Sequence, residues 1–178
     1  PPGTPQITGF PSGPVTVGPQ LNLKCVASPP GDTYDWYKDG TKVTTSLSYD
    51  FLVTKESAGV YKCVARNAVG TATSSDKTLV VYFAHTKVFF LNNPTASVQV
   101  GQMKKFTCET DESNPIPNIK WYQYMGSSWR IITSRISSSV RNGVYGGKIR
   151  ISEWSVTATK AMNGAIVRCR ATYSMTGH

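Results

Sequence analysis

Hydrophobic and polar residues alternate along most of this chain in short runs rather than recurring every three or four positions. Runs of this kind, rich in aromatic and β-branched residues, are typical of strands with one buried face. The clearest are LNLKC, YDWYK, GVYKCVA, KTLVVYF, KFTC, IKWYQY, KIRIS and AIVRCRA. Turn-forming segments such as SPPGD, KDG, NAVG, ESNPIPN and RNG separate them. Because no stretch combines a helical period with helix caps, the pattern predicts an all-β protein.

The chain contains an internal repeat. VTVGPQLNLKC (residues 15–25) aligns with VQVGQMKKFTC (residues 98–108). In each half a tryptophan follows, in YDWYKDG and IKWYQY, and then a second cysteine, in SAGVYKC and NGAIVRC. The two halves therefore share the order Cys, Trp, Cys and predict two similar β domains.

The length of 178 residues agrees with one or two domains. The chain has four cysteines: Cys25, Cys63, Cys108 and Cys169. They form no CxxC pairs and there are only two histidines, so a zinc site lacks ligands at usable spacing, and we expect no metal or other cofactor. Sequence-distant cysteines in a Ser/Thr-rich chain favour two disulfides, and thus an oxidising compartment, over four free thiols.

The order Cys, Trp, Cys within short strands resembles the immunoglobulin fold. The resemblance implies two tandem immunoglobulin-like β-sandwiches, residues 1–84 and 85–178, each with one inter-sheet disulfide and a core tryptophan packed against it. The implied pairs are Cys25 with Cys63 and Cys108 with Cys169, and the implied core tryptophans are Trp36 and Trp121. The first unit resembles an intermediate-set domain. Its Tyr61, two residues before a cysteine, takes the position where the family places a core tyrosine whose hydroxyl bonds back to the backbone.

The second unit resembles a C2-type variant of the fold. Its segments CETDESNPIPNIKWYQY and NGAIVRCRAT are similar to those of nephrin-, Kirre- and nectin-like adhesion receptors. Aligned with the first unit, the chain reaches the last turn at Gly177 and ends one residue later. We therefore expect the final strand of this domain to be missing from the fragment, whether truncated, disordered or supplied by another chain.

The positive charge is concentrated in the second half. Residues 1–86 carry seven Lys/Arg against six Asp/Glu, a net +1, whereas residues 87–178 carry twelve against four, a net +8. Side chains next to a core Trp or Cys in a strand point outward, which predicts a face of candidate protein-binding residues Tyr122 and Tyr124 among candidate anion-binding residues Lys120, Arg168 and Arg170. Two further arginines are expected near the same face, Arg130 and Arg135. The corresponding face of the first unit predicts the protein-binding candidates Asp35, Tyr37, Lys62 and Val64, with Tyr37 and Val64 as exposed apolar contacts.

Three functions follow as hypotheses. The first is the extracellular fragment of a cell-surface adhesion or recognition receptor, anchored in the membrane outside this fragment, that binds a protein partner or a second copy of itself through its sandwich faces. The second is polyanion binding, for example of a glycosaminoglycan, by the basic second domain. The third is an intracellular structural immunoglobulin-like module with reduced cysteines. The sequence provides no nucleophile–base pair and no phosphate-binding motif, so neither an enzyme nor a nucleic-acid partner is expected.

Overall fold

The computed structural model describes residues 1–92 and 97–173. The chain divides into two compact units, residues 1–83 and 84–178. Both are built from strands, and helix in the described ranges is limited to two 3-10 turns, Lys55–Ser57 and Lys160–Met162. The predicted all-β class is therefore confirmed. Across the described residues there is no helix long and apolar enough to cross a membrane.

The first unit is a β-sandwich of ten short strands. In chain order they are β1 (Gln6–Thr8), β2 (Val15–Thr16), β3 (Gln20–Val26), β4 (Thr33–Lys38), β5 (Thr41–Thr45), β6 (Ser48–Leu52), β7 (Gly59–Asn67), β8 (Gly70–Thr73), β9 (Lys77–Leu79) and β10 (Val81–Tyr82). One sheet has the order β1-β3-β6 and the other β5-β4-β7-β8, with β9 also paired to β7. A parallel pair, β2 with β10, lies apart from these antiparallel ladders.

The core of the first unit forms where alternation turns apolar side chains inward. A disulfide between Cys25 on β3 and Cys63 on β7 joins the two sheets. Trp36 on β4 is completely buried, and its Nε1 donates a hydrogen bond to the Ser46 carbonyl at 3.1 Å. Since the indole N–H has a partner, the ring fills the core without leaving a buried donor unsatisfied.

Tyr61 ties the start of β7 to the turn before it. Its ring is buried and stacks on Phe51 with centroids 5.7 Å apart, while its hydroxyl donates to the Ser57 carbonyl at 2.7 Å. Burial raises the pKa of Tyr61, so the hydroxyl stays protonated and acts as a donor. This contact anchors the 3-10 turn against the sandwich.

The second unit repeats the sandwich with longer strands. In chain order they are β11 (Val88–Phe90), β12 (Met103–Thr110), β13 (Asn118–Tyr124), β14 (Trp129–Ile132), β15 (Ile136–Asn142), β16 (Lys148–Thr157) and β17 (Ile166–Thr172). One sheet has the order β11-β12-β16-β15 and the other β14-β13-β17, all antiparallel. The turn expected at Gly177 lies outside the described residues, so the expectation that the final strand is missing stays a prediction.

Two tryptophans and a disulfide form the core of the second unit. Cys108 on β12 bonds to Cys169 on β17, so both predicted disulfides are present. Trp121 is fully buried, 6.2 Å from the ring centroid of Trp154 on the opposite sheet. Its Nε1 donates to the buried Ser152 hydroxyl at 2.9 Å. This packing fixes which side of β13 faces the core and which side faces solvent.

Candidate interaction surfaces

The outward side chains of β13, β14 and β17 form one surface of the second unit. Directly opposite residues of paired strands point to the same side of a sheet. Tyr122 lies opposite Arg168 on one neighbouring strand and Ile131 on the other, whereas its neighbour Trp121 points into the core. We call this surface the β13–β17 face. Its residues are Lys120, Tyr122, Tyr124, Trp129, Ile131, Ile166, Arg168 and Arg170.

An arginine and two aromatic rings are in contact along this face. The guanidinium carbon of Arg168 lies over the indole ring of Trp129, 4.3 Å from its centroid, a distance at which a cation–π contact is favourable. The same indole ring packs against Tyr124 with centroids 5.4 Å apart. Side chains that restrain one another in this way lose less conformational entropy when a partner binds.

Apolar groups remain exposed around this stack. Trp129 is 40% exposed, Ile131 48% and Ile166 56%. Tyr122 and Tyr124 lie between them on the central strand and are half-buried. Exposed apolar side chains that adjoin one another mark interaction sites more often than scattered ones do. The face therefore has an apolar and aromatic centre next to the cationic residues Lys120, Arg168 and Arg170.

Two arginines expected on this face lie elsewhere. Arg130 is opposite Gln123 on β13, and Gln123 is buried on the inner side, so Arg130 points to the other side of the sheet. Arg135 precedes β15, and its carbonyl accepts a hydrogen bond from the Ser155 N–H on β16 at 3.1 Å, within the other sheet. The expectation that Arg130 and Arg135 join the face is wrong. The length of the turn in YMGSSW could have shown this. Four residues separate Tyr124 from Trp129, so these two lie opposite each other, and Trp129 rather than Arg130 points outward.

In the first unit, the predicted contact residue Asp35 is not a surface group. Asp35 is only 5% exposed because three donors surround it. Lys42 Nζ lies 2.7 Å from its carboxylate, Arg66 Nε 2.8 Å and the Thr45 hydroxyl 2.7 Å. The hydrogen bonds from Lys42, Thr45 and Arg66 hold the pKa of Asp35 far below its usual range, so the carboxylate stays ionised. Its role is to organise the outer side of β4, β5 and β7.

The other three candidates of the first unit divide into one buried and two partly exposed residues. Val64 is 8% exposed, so its assignment as an exposed apolar contact is wrong. It lies on the central strand β7, flanked by Asp35 on β4 and Thr73 on β8, where neighbouring strands cover it on both sides. Tyr37 and Lys62 are half-buried, with the Lys62 ammonium 5.9 Å from the Tyr37 ring centroid. This face thus offers less apolar surface than the β13–β17 face.

Two adjacent acids of the second unit anchor loops. The Asp111 carboxylate accepts bonds from the Thr86 and Lys87 backbone N–H groups. Partial burial acts to raise the pKa of Asp111, but hydrogen bonds from Thr86 and Lys87 outweigh it and lower the pKa. Glu112 accepts three backbone N–H bonds from the β15–β16 hairpin, from Val144 and Tyr145 at 2.8 Å each and from Gly147 at 2.9 Å. Both carboxylates therefore hold structure together.

Two tandem sandwiches, each with a disulfide that joins its sheets beside a buried tryptophan, define a pair of immunoglobulin-like domains. Residues 4–81 match the family described as immunoglobulin domain, and residues 90–178 match the CD80-like C2-set immunoglobulin domain. The chain belongs to the immunoglobulin superfamily, and the resemblance predicted from the sequence is confirmed.

Several cell-surface receptors are similar in sequence. Human nephrin is 28% identical over 188 residues, which covers 96% of this chain and 15% of nephrin. Human Roundabout homolog 2 is 32% identical over 170 residues, which covers 83% of this chain and 12% of that protein. The chain thus spans a small part of each relative. These relatives are adhesion and recognition receptors with immunoglobulin domains, which supports a role in a receptor ectodomain.

A solved structure shares the fold. The crystal structure of Rst D1-D2 superposes with a TM-score of 0.63 at 16% sequence identity and covers 96% of this chain and 92% of that one. At this identity the similarity concerns the fold alone.

Proposed function

We propose that the chain is part of the extracellular region of a cell-surface recognition receptor and binds a protein partner through the β13–β17 face, with residues 1–84 and 85–178 as its two domains. The observation that carries the proposal is the exposed stack of Arg168 on Trp129, with Ile131 and Ile166 exposed beside it. Trp, Tyr and Arg are the residue types that contribute most to binding energy at protein interfaces.

The composition of the face suits a protein more than a small ligand. Interfaces combine an apolar centre, which is dried on binding, with a polar rim. On the β13–β17 face, Tyr122 and Ile131 occupy opposite positions on neighbouring strands near the middle. Lys120 and Arg170 occupy opposite positions toward one end. In the first unit, the half-buried Tyr37 and Lys62 are candidates for a secondary contact.

The disulfides support the extracellular location. Disulfides persist in oxidising compartments and are rare in the cytosol. An intracellular structural module predicts four reduced cysteines instead. The mass of the protein before and after alkylation in a denaturant separates the two, because unfolding exposes cysteines that are buried in the cores. The extracellular proposal expects no added alkyl groups without a reductant, and four added groups contradict it.

Binding of the chain to a panel of purified cell-surface ectodomains tests the proposal. The informative pair of variants is Ile131→Ala, on the face, and Val140→Ala, on β15 of the other sheet; each side chain is 48% exposed. We expect Ile131→Ala to weaken binding by about ten-fold, as loss of a contact at the centre of an interface does, and Val140→Ala to leave it unchanged. Equal affinities for both variants and wild type would contradict the assignment of the face.

A second candidate function is polyanion binding, favoured by the net charge of +8 on residues 87–178. Retention on immobilised heparin well above physiological salt supports it. In that case the double variant Arg168→Glu, Arg170→Glu elutes at lower salt than wild type. Elution at or below physiological salt counts against it.

A further inference from the structure

We infer that the partner of the β13–β17 face is a protein surface with an apolar patch bordered by carboxylates, and is not a second copy of this chain. The inference rests on the proposed function and specifies the chemistry of the partner. It comes from the charges that the face leaves unneutralised, combined with the apolar groups beside them.

The cations of the face have no acidic partners. Strands β13, β14 and β17 contain no Asp or Glu at any position. Among the described residues, Lys120, Arg168 and Arg170 form no ion pair. Their charges therefore remain available to an approaching surface.

The four acids of the second unit are engaged away from the face. Glu109 forms an ion pair with Arg141, and Glu153 forms one with Lys105 at 2.9 Å. All four residues lie on β12, β15 and β16, in the sheet opposite the face. The remaining two acids bind backbone N–H groups of their own unit, as described above: Asp111 and Glu112. Since none of the four carboxylates compensates the face, compensation has to come from the partner.

Arg168 is placed to bind a carboxylate. A guanidinium over an aromatic ring can still present N–H groups at its edge, and the geometry of those groups matches the two oxygens of a carboxylate. The contact with Trp129 restrains Arg168 before binding. An acidic side chain that reaches Arg168 would bring its neighbours onto the exposed Ile131 and Ile166.

Contact with a second copy of the chain would pair like charges. A two-fold symmetric contact brings the same patch of each copy together, so the patch that holds Lys120, Arg168 and Arg170 would face a second patch with the same positive charges and no carboxylate on its strands. The corresponding face of the first unit offers no better complement, since its carboxylate Asp35 is buried beneath Lys42 and Arg66. Like charges held together across an interface select against that pairing.

The apolar centre distinguishes a protein partner from a sulfated polysaccharide. A polysaccharide would engage the cations but would gain little from Ile131, Ile166 and the ring of Trp129, which together form exposed apolar surface. A protein surface that buries these groups gains from their removal from water. Both the charged and the apolar groups should therefore contribute to binding.

Selection of peptides on the whole chain tests the inference. A displayed library of random peptides is selected on the wild-type chain after depletion on the double variant Trp129→Ala, Arg168→Ala, so that only peptides directed to the face remain. We expect these peptides to be enriched in Asp and Glu beside aliphatic or aromatic residues. Their affinity should fall about ten-fold with Arg168→Glu and with Ile131→Ala. Arg130→Glu changes the net charge equally on the opposite side of the sheet and should leave the affinity unchanged. Sedimentation velocity should show a monomer.

The outcomes separate the inference from the proposed function. Face-directed peptides without enrichment of acidic residues overturn the inference and leave the proposed function in place. A dimer that dissociates in the Arg168→Ala variant also overturns the inference, because the partner of the face would then be a second copy of the chain, and it too leaves the proposed function in place. Acidic peptides that heparin displaces, and that bind Ile131→Ala as tightly as wild type, indicate a polyanion site and also overturn it. If no face-directed peptide is recovered, the proposed function fails and the inference fails with it.

Discussion

Asp35 and Arg66, 31 residues apart in the sequence, meet across β4 and β7 with 2.8 Å between Oδ2 and Nε. The carboxylate is nearly completely buried, whereas both of its cationic partners are about half exposed. The pair thus places a buried negative charge under a cationic surface and fixes the outer side of the first sandwich.

Asp35→Asn should destabilise the first unit. The amide cannot accept from Lys42, Thr45 and Arg66 as an ionised carboxylate does, and hydrogen bonds to charged groups contribute about 1.5–3 kcal/mol each. Lys42 and Arg66 are about half exposed, so water replaces part of the hydrogen bonding that they lose. We therefore expect the free energy of unfolding to fall by about 2 kcal/mol rather than by the sum of the three hydrogen bonds. Urea unfolding measures it, with Asp76→Asn on the exposed surface as the control. If both variants unfold at the same urea concentration, Asp35 has no such role.

The contribution of Asp35 to stability should depend on pH. Its pKa is lower in the folded state than the ordinary value of 3.8. The stabilisation is therefore complete above that value and decreases as the pH falls below it, because the unfolded state then binds the proton more readily. The difference in unfolding free energy between wild type and Asp35→Asn should be constant from pH 7 to pH 5 and smaller at pH 3. A difference that grows at low pH would contradict this account.

Substitutions at Gly143 and Glu112 should be energetically coupled. A Cβ added at Gly143 would lie 2.0 Å from Cδ of Glu112, so Gly143→Ala should displace the carboxylate from the N–H groups of the hairpin. Glu112→Ala removes the same three hydrogen bonds directly. We expect each variant to lower the free energy of unfolding of the second unit by about 1–3 kcal/mol.

The double variant provides the sharper test of this contact. Once Glu112 is Ala, the atoms that obstruct a Cβ at Gly143 are gone, and Gly143→Ala should cost much less than in the wild type. Urea unfolding of the four proteins gives the coupling free energy. Additive effects would show that the hairpin does not depend on this contact.

Tyr61→Phe should lower the free energy of unfolding of the first unit by about 1 kcal/mol, since it removes one hydrogen bond to the Ser57 carbonyl and leaves the ring in place. Tyr82→Phe, at an exposed position on β10, serves as the matched control. Thermal unfolding of the two variants should differ. Identical midpoints would mean that the hydroxyl contact does not contribute.

Alternation was sufficient to predict the all-β class, and the order Cys, Trp, Cys predicted the two sandwiches through its resemblance to the immunoglobulin fold. A strand period of two fixes which side of β13 carries Trp121 and which carries Tyr122, and this depends on local sequence alone. The same rule could not predict the burial of Asp35 and Val64. Alternation gives the side of the sheet to which a residue points, whereas burial there depends on the neighbouring strands. These are β5 and β7 around Asp35, and β4 and β8 around Val64.

The arginines after β13 show a different limit. The position of Arg130 depends on the hairpin turn, in which one residue more or less would exchange it with Trp129 on the outer face. Arg135 follows three residues after β14, but the chain crosses to the other sheet in that interval. Proximity in sequence therefore did not imply a shared surface.

The comparison of Arg168→Ala with Arg130→Ala tests the central claim most directly. Both arginines are exposed and belong to the same three-stranded sheet, but they point to opposite sides of it. Affinities for a protein partner identified from the ectodomain panel should be measured for both variants at the same ionic strength. The account predicts binding about ten-fold weaker for Arg168→Ala and unchanged for Arg130→Ala. Equal losses, or a loss confined to Arg130→Ala, would contradict it.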